Sequence, residues 1–276
     1  MSLKLALISF IALAAACGPS PKPQNPDVPK GTDIDLGPPP EANDARLDWA
    51  IAGAQRSPFN RARDQYRHPK ETLAFFGVTK DKHVVELWPG GGWYTEILAP
   101  FLRDSGKLAA APVDGDFEKK LSGAPSLFGK VERVHLAPPN DLSLGADESA
   151  DVVLTFRNVH NWIQGGFAPK VFAAAFKVLK KGGTLGVEEH RGDPGIDEKT
   201  IKDTGYVPEQ TVIDLAQAAG FKLEGKSDIN ANPKDDHKHE GGVWALPPVL
   251  RNGEKDKAKY LALGESDRMT LKFTKP

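Results

Sequence analysis

The chain has 276 residues, of which 39% are hydrophobic, so it can bury one sizeable core in a single α/β domain. Its formal net charge is −1 with acidic and basic residues interleaved, which argues against a nucleic-acid partner. Cys17 is the single cysteine of the chain, which excludes an internal disulfide framework.

The first seventeen residues have the pattern of an export signal. Lys4 precedes an apolar run from Leu5 to Ala16, which is shorter than the roughly 20 residues that a bilayer-spanning helix needs. The run ends in "LAAAC", which resembles the lipobox of bacterial lipoproteins and implies that Cys17 is lipidated. The alternatives are an ordinary secretory signal, or a buried apolar N-terminus with a chance cysteine.

Residues 18–42 are dense in proline and poor in large apolar side chains. Such a segment cannot bury enough surface to offset the entropy of ordering, so we interpret it as an extended tether. With a lipid on Cys17, the folded domain from residue 43 to 276 would be held at a bacterial membrane, outside the cytoplasm and on its periplasmic face. The lipid would be its only membrane contact.

From Asn43 onward the composition is that of a folded domain. "NDARLDWAIAGAQR" predicts a helix with Leu47, Ile51 and Ala54 on one face and Asn43 as its N-cap. "NRARDQYRHPKETLAFFGV" predicts a further short helix that ends near Gly77.

Strands and helices then alternate along the chain. "KHVVEL" is a short apolar strand, and "WYTEILAPFLR" is a helix in which Pro100 should cause a kink or end the regular hydrogen bonding. Strands follow at "GKLAAAPV", "KVERVHLA" and "ADVVLTF", and the last of these should be buried on both faces. A helix at "APKVFAAAFKVLKKGG" precedes a strand at "GTLGVEEH", and a helix at "VPEQTVIDLAQAAGF" precedes the final strands "FKLEGKSDI" and "RMTLKFTKP".

This alternation predicts a seven-stranded, mostly parallel sheet with helices on both faces. The last two strands have no clear helix between them, which favours antiparallel pairing at that end. Ligands of such folds bind beyond the carboxyl ends of the strands. We therefore expect "ELWPGGG", "APVDGD", "FRNVHNW" and "EEHRGD" to surround one crevice.

Several of these segments resemble a known family. "DVVLTFRNVHNW", "VLKKGG" and the more specific "PGGGWYTE" are similar to class I S-adenosylmethionine-dependent methyltransferases, and in particular to a bacterial branch of predicted methyltransferases. The resemblance covers roughly residues 43–276. It implies a Rossmann-like fold, S-adenosylmethionine as the cofactor and a small-molecule substrate.

The resemblance assigns the glycine loop to the cofactor. Glu86 fits the family's acid, Gly90 and Gly92 fit its second and third glycines with Gly91 between them, and Trp88 replaces the first glycine. Glycine lets the backbone approach a ligand closely, because it has no Cβ. The alternative is a tight turn between strand and helix that holds no ligand.

Three polar residues complete the implied cofactor site. Family members place an acid at the end of the second strand for the ribose hydroxyls, and here the nearest acid, Asp114, comes two residues late. Asp141 fits the acid near the adenine, or is a turn aspartate. Asn158 is assigned to the cofactor site, where its amide would also orient a nucleophile.

The catalytic assignment depends on segments after the fourth and fifth strands. His160 is a candidate general base, because its ordinary pKa of about 6.5 suits proton removal near neutral pH, or it is a histidine bonded to backbone at a helix start. Glu189 and His190 would assist a base or bind a substrate cation, or would form an ion pair with Arg191.

Substrate contacts and a metal were also considered. Trp162 is assigned to the substrate pocket, with core packing as the alternative. Arg67 and His68 would form a lid over the crevice. "NPKDDHKHE" contains metal-ligand types, but we interpret it as a solvated loop and predict no metal.

Three hypotheses about function follow. The first is a methyltransferase acting on an unidentified small molecule. The second is a ligand-binding lipoprotein with a degenerate methyltransferase fold, which Trp88 and the missing ribose acid favour, while the export signal argues against the first. The third keeps methyl transfer and leaves the N-terminus in the cytoplasm.

Overall fold

The computed structural model describes residues 34–276. The predicted export signal, Cys17 and most of the predicted tether lie outside the described residues. Within 34–276, none of the helices combines the length and the apolar character that crossing a bilayer requires.

A single twisted sheet organises the described part of the chain. Its path runs β3-β2-β1-β4-β5-β8-β7, and the short β6 pairs with β5 off this path. The strands are β1 (His83–Leu87), β2 (Lys107–Ala111), β3 (Glu132–Arg133), β4 (Ala150–Phe156), β5 (Leu179–Gly192), β6 (Val207–Pro208), β7 (Lys222–Ser227) and β8 (Arg268–Thr274).

The predicted fold class is confirmed, with one additional strand. β1 pairs in parallel with β2 and β4, and β4 pairs in parallel with β5. β8 is inserted antiparallel between β5 and β7. The eighth strand, β6, has two residues and was not predicted, and "KVERVHLA" contributes only Glu132–Arg133 to β3.

Helices cover both faces of the sheet. Val84 and Val85 are both fully buried but belong to different hydrophobic clusters, because successive strand residues point to opposite faces. The helices are α1 (Asn43–Ala52), α2 (Pro58–Arg61), α3 (Asp64–Arg67), α4 (Pro69–Phe75), α5 (Thr95–Leu102), α6 (Gly115–Gly123), α7 (Pro125–Phe128), α8 (Val159–Gln164), α9 (Ala168–Val178), α10 (Glu198–Thr204), α11 (Glu209–Ala218) and α12 (Lys257–Leu263).

The first helix differs from its prediction at both ends. Ala42 is its N-cap, and Asn43 is already helical, because the Asn43 side chain accepts the backbone N–H of Lys80 at 2.9 Å instead. Ala54 is exposed and lies beyond the helix end at Ala52, so it does not share a helical face with Leu47 and Ile51 as predicted.

Residues 34–42 contact the domain. Trp49 Nε1 donates to the Leu36 carbonyl at 2.9 Å, and Ile34 and Leu36 pack against the cluster beneath α1. Whether the domain begins at residue 43 stays a prediction.

Residues 228–267, between β7 and β8, form a long insertion that we call the cap segment. It contains a 3₁₀ helix (Gly242–Ala245) and α12. Side chains around the 3₁₀ helix reach the carboxyl ends of the parallel strands, where they help to enclose a cavity.

Candidate active site

A cavity of about 320 Å³ lies beyond the carboxyl ends of β1, β4 and β5. Three of the four predicted segments line it, through residues after β1, residues at and after the end of β4, and His190 near the end of β5. The helices before β1 and the cap segment close the other sides.

The fourth predicted segment, "APVDGD", does not line this cavity. Just beyond the paired strands, Trp88 N–H donates to the Ala111 carbonyl at 2.6 Å, which joins the two chain segments directly. Val113 N–H then donates to Val134, so the chain after β2 turns away towards β3. Asp114 is exposed at the start of α6 and does not line the cavity.

The glycine loop presents bare backbone to the cavity. Gly90 has a φ of +59°, in the left-handed region that favours glycine. A Cβ added at Gly90 or at Gly91 would meet no atom within 4 Å, so a ligand can approach both residues closely. At Gly92 an added Cβ would lie 2.7 Å from the Phe117 ring, because this glycine packs against α6 and not against the cavity.

Trp88 forms a wall of the cavity. Its φ is +46°, which lies in the left-handed region that favours glycine. Its ring centroid lies 5.1 Å from that of Trp162 and 6.2 Å from that of Phe167, so the indole packs against other rings. The cavity volume remains open beside it.

Glu86 lies beneath the glycine loop. It is 1% exposed, and its Oε2 accepts from Thr95 Oγ1 at 2.6 Å. Burial away from water raises the pKa of its carboxyl to about 7. Glu86 does not line the cavity, so it supports the loop and the start of α5.

A second buried acid near the loop was not anticipated from the sequence. Glu96 accepts from Lys120 Nζ at 2.5 Å and from Asn60 Nδ2 at 2.8 Å. Lys120 Nζ also donates to the Gly91 carbonyl at 2.7 Å, which links the loop to α6. The motif "GGWYTE" contained this acid, but its partners come from distant segments.

His160 and Glu189 form a buried hydrogen-bonded pair. His160 Nδ1 lies 3.0 Å from Glu189 Oε1, and the ring lines the cavity. A carboxylate at Nδ1 holds the proton on that nitrogen and leaves Nε2 as an acceptor. The ring is therefore arranged as a general base is.

Both oxygens of Glu189 are already used by the protein. Oε2 accepts the backbone N–H groups of Val159 at 2.5 Å and His160 at 3.3 Å, and Oε1 accepts that of His190 at 2.8 Å. Potential metal-ligand atoms of His160, Glu189 and His190 lie within 4.8 Å of one another. The hydrogen bonds suit positioning of His160 better than coordination of a metal.

His190 also lines the cavity. Its Nδ1 lies 2.6 Å from Ser266 Oγ, and its ring centroid is 5.3 Å from that of His160. Burial, together with His160 and Arg157, holds the pKa of His190 well below its usual range. His190 is therefore neutral at physiological pH.

Asn158 holds the start of the glycine loop through hydrogen bonds from its amide. Its Nδ2 donates to the Leu87 carbonyl at 3.1 Å and to the Trp88 carbonyl at 3.3 Å. The residue lines the cavity, so the amide both fixes the loop and borders the ligand space.

Of the remaining predicted site residues, Arg67 lines the cavity, and His68, Trp162 and Asp141 do not. His68 instead lies 3.3 Å from Asn230, through its Nδ1. Trp162 is 1% exposed in the core behind Trp88, so core packing, the alternative reading, describes its position. Asp141 is an exposed turn residue whose Oδ1 accepts the Ser143 N–H, and it does not line the cavity.

A cluster of charged side chains lies along one side of the cavity. Arg67 is the only member of this cluster that the sequence had suggested as a site residue. Glu265 contacts Arg63 at 2.5 Å, Arg67 at 3.2 Å and Arg268 at 3.0 Å. Arg157 and Arg268 each lie 3.1 Å from Glu188. The arginine cluster comprises Arg63, Arg67, Arg157, Arg268, Glu188 and Glu265.

The segment "NPKDDHKHE" is not the solvated loop that we expected. Asp235 is buried and accepts from Tyr206 Oη at 2.8 Å, while His239 Nε2 lies 2.8 Å from it. Ligand atoms of Asp235, Asp236 and His239 lie within 4.8 Å of one another, but the first is committed to this network. This stretch therefore holds the cap segment, of which it is a part, against Tyr206.

This architecture is similar to that of several solved structures, although the sequence matches no known family. No protein-family model matches the sequence, and no curated protein does. Among solved structures, a methyltransferase from Aquifex aeolicus matches with a TM-score of 0.51 and 14% identity, over 86% of this chain and 100% of its own. The proposed sarcosine dimethylglycine methyltransferase of Galdieria sulphuraria matches with a TM-score of 0.53 and 16% identity, over 88% and 92%.

The fold is that of the S-adenosylmethionine-dependent methyltransferases. At these identities the likeness shows the fold and leaves the reaction open. SpnF, a [4+2]-cyclase, matches with a TM-score of 0.51 and 16% identity, over 76% of this chain and 80% of its own. The function of this chain therefore has to be inferred from the residues that line its cavity.

Proposed function

We propose that this chain is an S-adenosylmethionine-dependent methyltransferase that acts on a small molecule. The observation that carries the proposal is that the open backbone of Gly90 and Gly91 faces the same cavity as His160. A ligand held by the loop and an acceptor deprotonated by the imidazole would then share one cavity.

The residues present fit the methyl donor at the glycine loop. A bare backbone at Gly90 and Gly91 would admit it, and the donor supplies an activated methyl group on a sulfonium when bound. The acid that family members place on β2 is missing from the cavity, so we expect fewer ribose contacts. Trp88 would provide an apolar wall.

The protein's own contribution is alignment and proton removal. His160 Nε2 would take the proton of the acceptor, and Glu189 would hold the imidazole through Nδ1. Neutral His190 beside it leaves the base without a charged neighbour on that side. The cap segment would exclude water from the cavity.

The first test is cofactor binding by the full chain. We expect calorimetry to show micromolar binding of S-adenosylmethionine and S-adenosylhomocysteine, weakened at least about tenfold by Gly91→Val. Gly91 does not have a positive φ, so the added side chain should fill ligand space without straining the backbone.

Gly123→Val is the matched control. A Cβ at Gly123 also meets no atom within 4 Å, its φ is not positive, and it lies outside the cavity. It should keep full affinity. Absence of binding by the unaltered chain at millimolar ligand, or equal affinity of the two variants, would overturn the proposed function.

We also propose that the chain is exported and anchored by a lipid on Cys17, with its domain outside the cytoplasm. The support is the sequence of residues 1–17. A Cys17→Ser variant should leave the membrane fraction of bacterial cells. Continued membrane attachment of that variant would contradict lipidation, whatever the outcome of the binding test.

A further inference from the structure

The arginine cluster contains more cations than anions. Four guanidinium groups share two carboxylates, since Glu265 contacts three arginines and Glu188 contacts two. None of the six side chains is more than 20% exposed.

The surplus positive charge lowers a pKa inside the cluster. Burial, followed by repulsion from Arg157, holds the pKa of Arg67 well below its usual range. Among the described residues, Arg63 and Arg67 form ion pairs with Glu265 alone. A buried cation that shares its counterion is costly, so an anionic ligand would stabilise this arrangement.

The surplus faces the cavity. Arg63, Arg67 and Arg157 line it, on the same side as Glu265. Arg157 has a φ of +60°, a conformation that costs a non-glycine residue energy and that recurs at functional sites. Aromatic rings line the space beside the guanidinium groups, Trp93 and Trp244 among them.

We propose that this cavity binds an organic oxyanion, a carboxylate or a phosphate ester on an aromatic body, with its charge against Arg63, Arg67 and Arg157. The inference rests on the proposed function, because it names the class of the methyl acceptor. A guanidinium binds either oxyanion in a bidentate manner.

The methyl donor alone would not balance the site. S-adenosylmethionine brings one carboxylate together with an ammonium and a sulfonium, so its entry adds positive charge. An anionic acceptor supplies the missing counter-charge beside the sulfonium. The two ligands would therefore bind together more favourably than either alone.

The experiment compares ligands of one shape and different charge. Benzoate, phenyl phosphate, benzamide and benzylammonium are titrated into the full chain saturated with S-adenosylhomocysteine. We expect benzoate or phenyl phosphate to bind at least about tenfold more tightly than benzamide, and benzylammonium to bind most weakly. The stronger of the two anions identifies the oxyanion.

Variants assign the effect to the cluster. Arg63→Gln and Arg157→Gln should each weaken anion binding at least about tenfold while leaving the affinity for benzamide unchanged. Both side chains are partly exposed, so either variant can be tested if the other unfolds. Arg61→Gln is the control, since Arg61 is exposed nearby on α2 and does not line the cavity.

Three results would overturn the inference. They are equal affinity for benzoate, phenyl phosphate and benzamide, anion binding that survives both cluster variants, and anions that displace S-adenosylhomocysteine. The last would mean that the arginines hold the cofactor's own carboxylate. Anion binding without any S-adenosylhomocysteine binding would instead refute the proposed methyl transfer and leave the anion site standing.

Discussion

Glu189 connects the fifth strand to the helix that carries the candidate base. Its fully buried carboxylate accepts hydrogen bonds from the start of α8, from the His160 ring and from the backbone of His190. An anion at a helix start is favoured by the free N–H groups there. One side chain thus sets the position of both cavity histidines.

We predict that Glu189→Gln lowers the free energy of unfolding by about 2–3 kcal/mol, because a buried amide nitrogen must then face an N–H donor. Urea unfolding measures the change. Glu198→Gln is the control, since its side chain is 66% exposed, and it should stay within about 0.5 kcal/mol of the unaltered chain. Equal stability of the two variants would contradict the positioning role of Glu189.

The cap segment is held by polar contacts near its beginning and end. Asp235 accepts from Tyr206, which precedes α11, and from the backbone N–H of Asp267 at 2.8 Å. His237 lies 2.9 Å from Asp193 and 3.5 Å from Asp267. These contacts position the 3₁₀ helix over the cavity.

His237 should make the stability of this element depend on pH. The neighbouring carboxylates of Asp267 and Asp193 raise the pKa of His237 to about 9, against an ordinary 6.5. Its stabilisation is fully present below pH 6.5 and is lost as the pH rises through 9. We expect roughly 1–2 kcal/mol to disappear across this window, since partial exposure weakens the pairs.

The measurement is the free energy of unfolding from pH 6 to pH 10. His237→Gln should remove this part of the decline, while His135→Gln, at an exposed position, should retain it. Identical profiles for the two variants would show that the His237 contacts do not stabilise the cap segment.

Glu265 joins distant parts of the chain. It contacts Arg63 and Arg67, 202 and 198 residues earlier, as well as Arg268 at the start of the last strand. The antiparallel β8 is central to its end of the sheet, between β5 and β7. Glu265 therefore ties the helices before the sheet to the strand that completes it.

Glu265→Gln should lower the free energy of unfolding at pH 7 by about 3–5 kcal/mol, because three arginines lose a buried counter-charge. The arginines hold the pKa of Glu265 well below its usual range, so its contribution is present above the ordinary 4.5 and declines as the pH falls. Glu240→Gln, 76% exposed, is the control. A loss no larger than that of the control would contradict this account.

Much of the fold could be predicted from residue order. β1 and β4 were recognised as apolar runs, and α11 from its periodic pattern between Pro208 and Gly220. Errors occurred where a distant partner intervened. Asn43 accepts from Lys80 instead of capping α1, and Asp114 does not line the cavity, since Val113 pairs with Val134 after β2.

The sequence by itself determined the α/β class, the mostly parallel pairing of the strands and the candidate loop at residues 86–92, because these depend on periodicity and on the backbone freedom of glycine. Only the tertiary structure decided which charges meet. Glu265 contacts Arg63, 202 residues earlier, and Glu189 contacts His160, 29 residues earlier, and no local pattern records such contacts. The electrostatic character of the cavity is therefore a property of the folded chain.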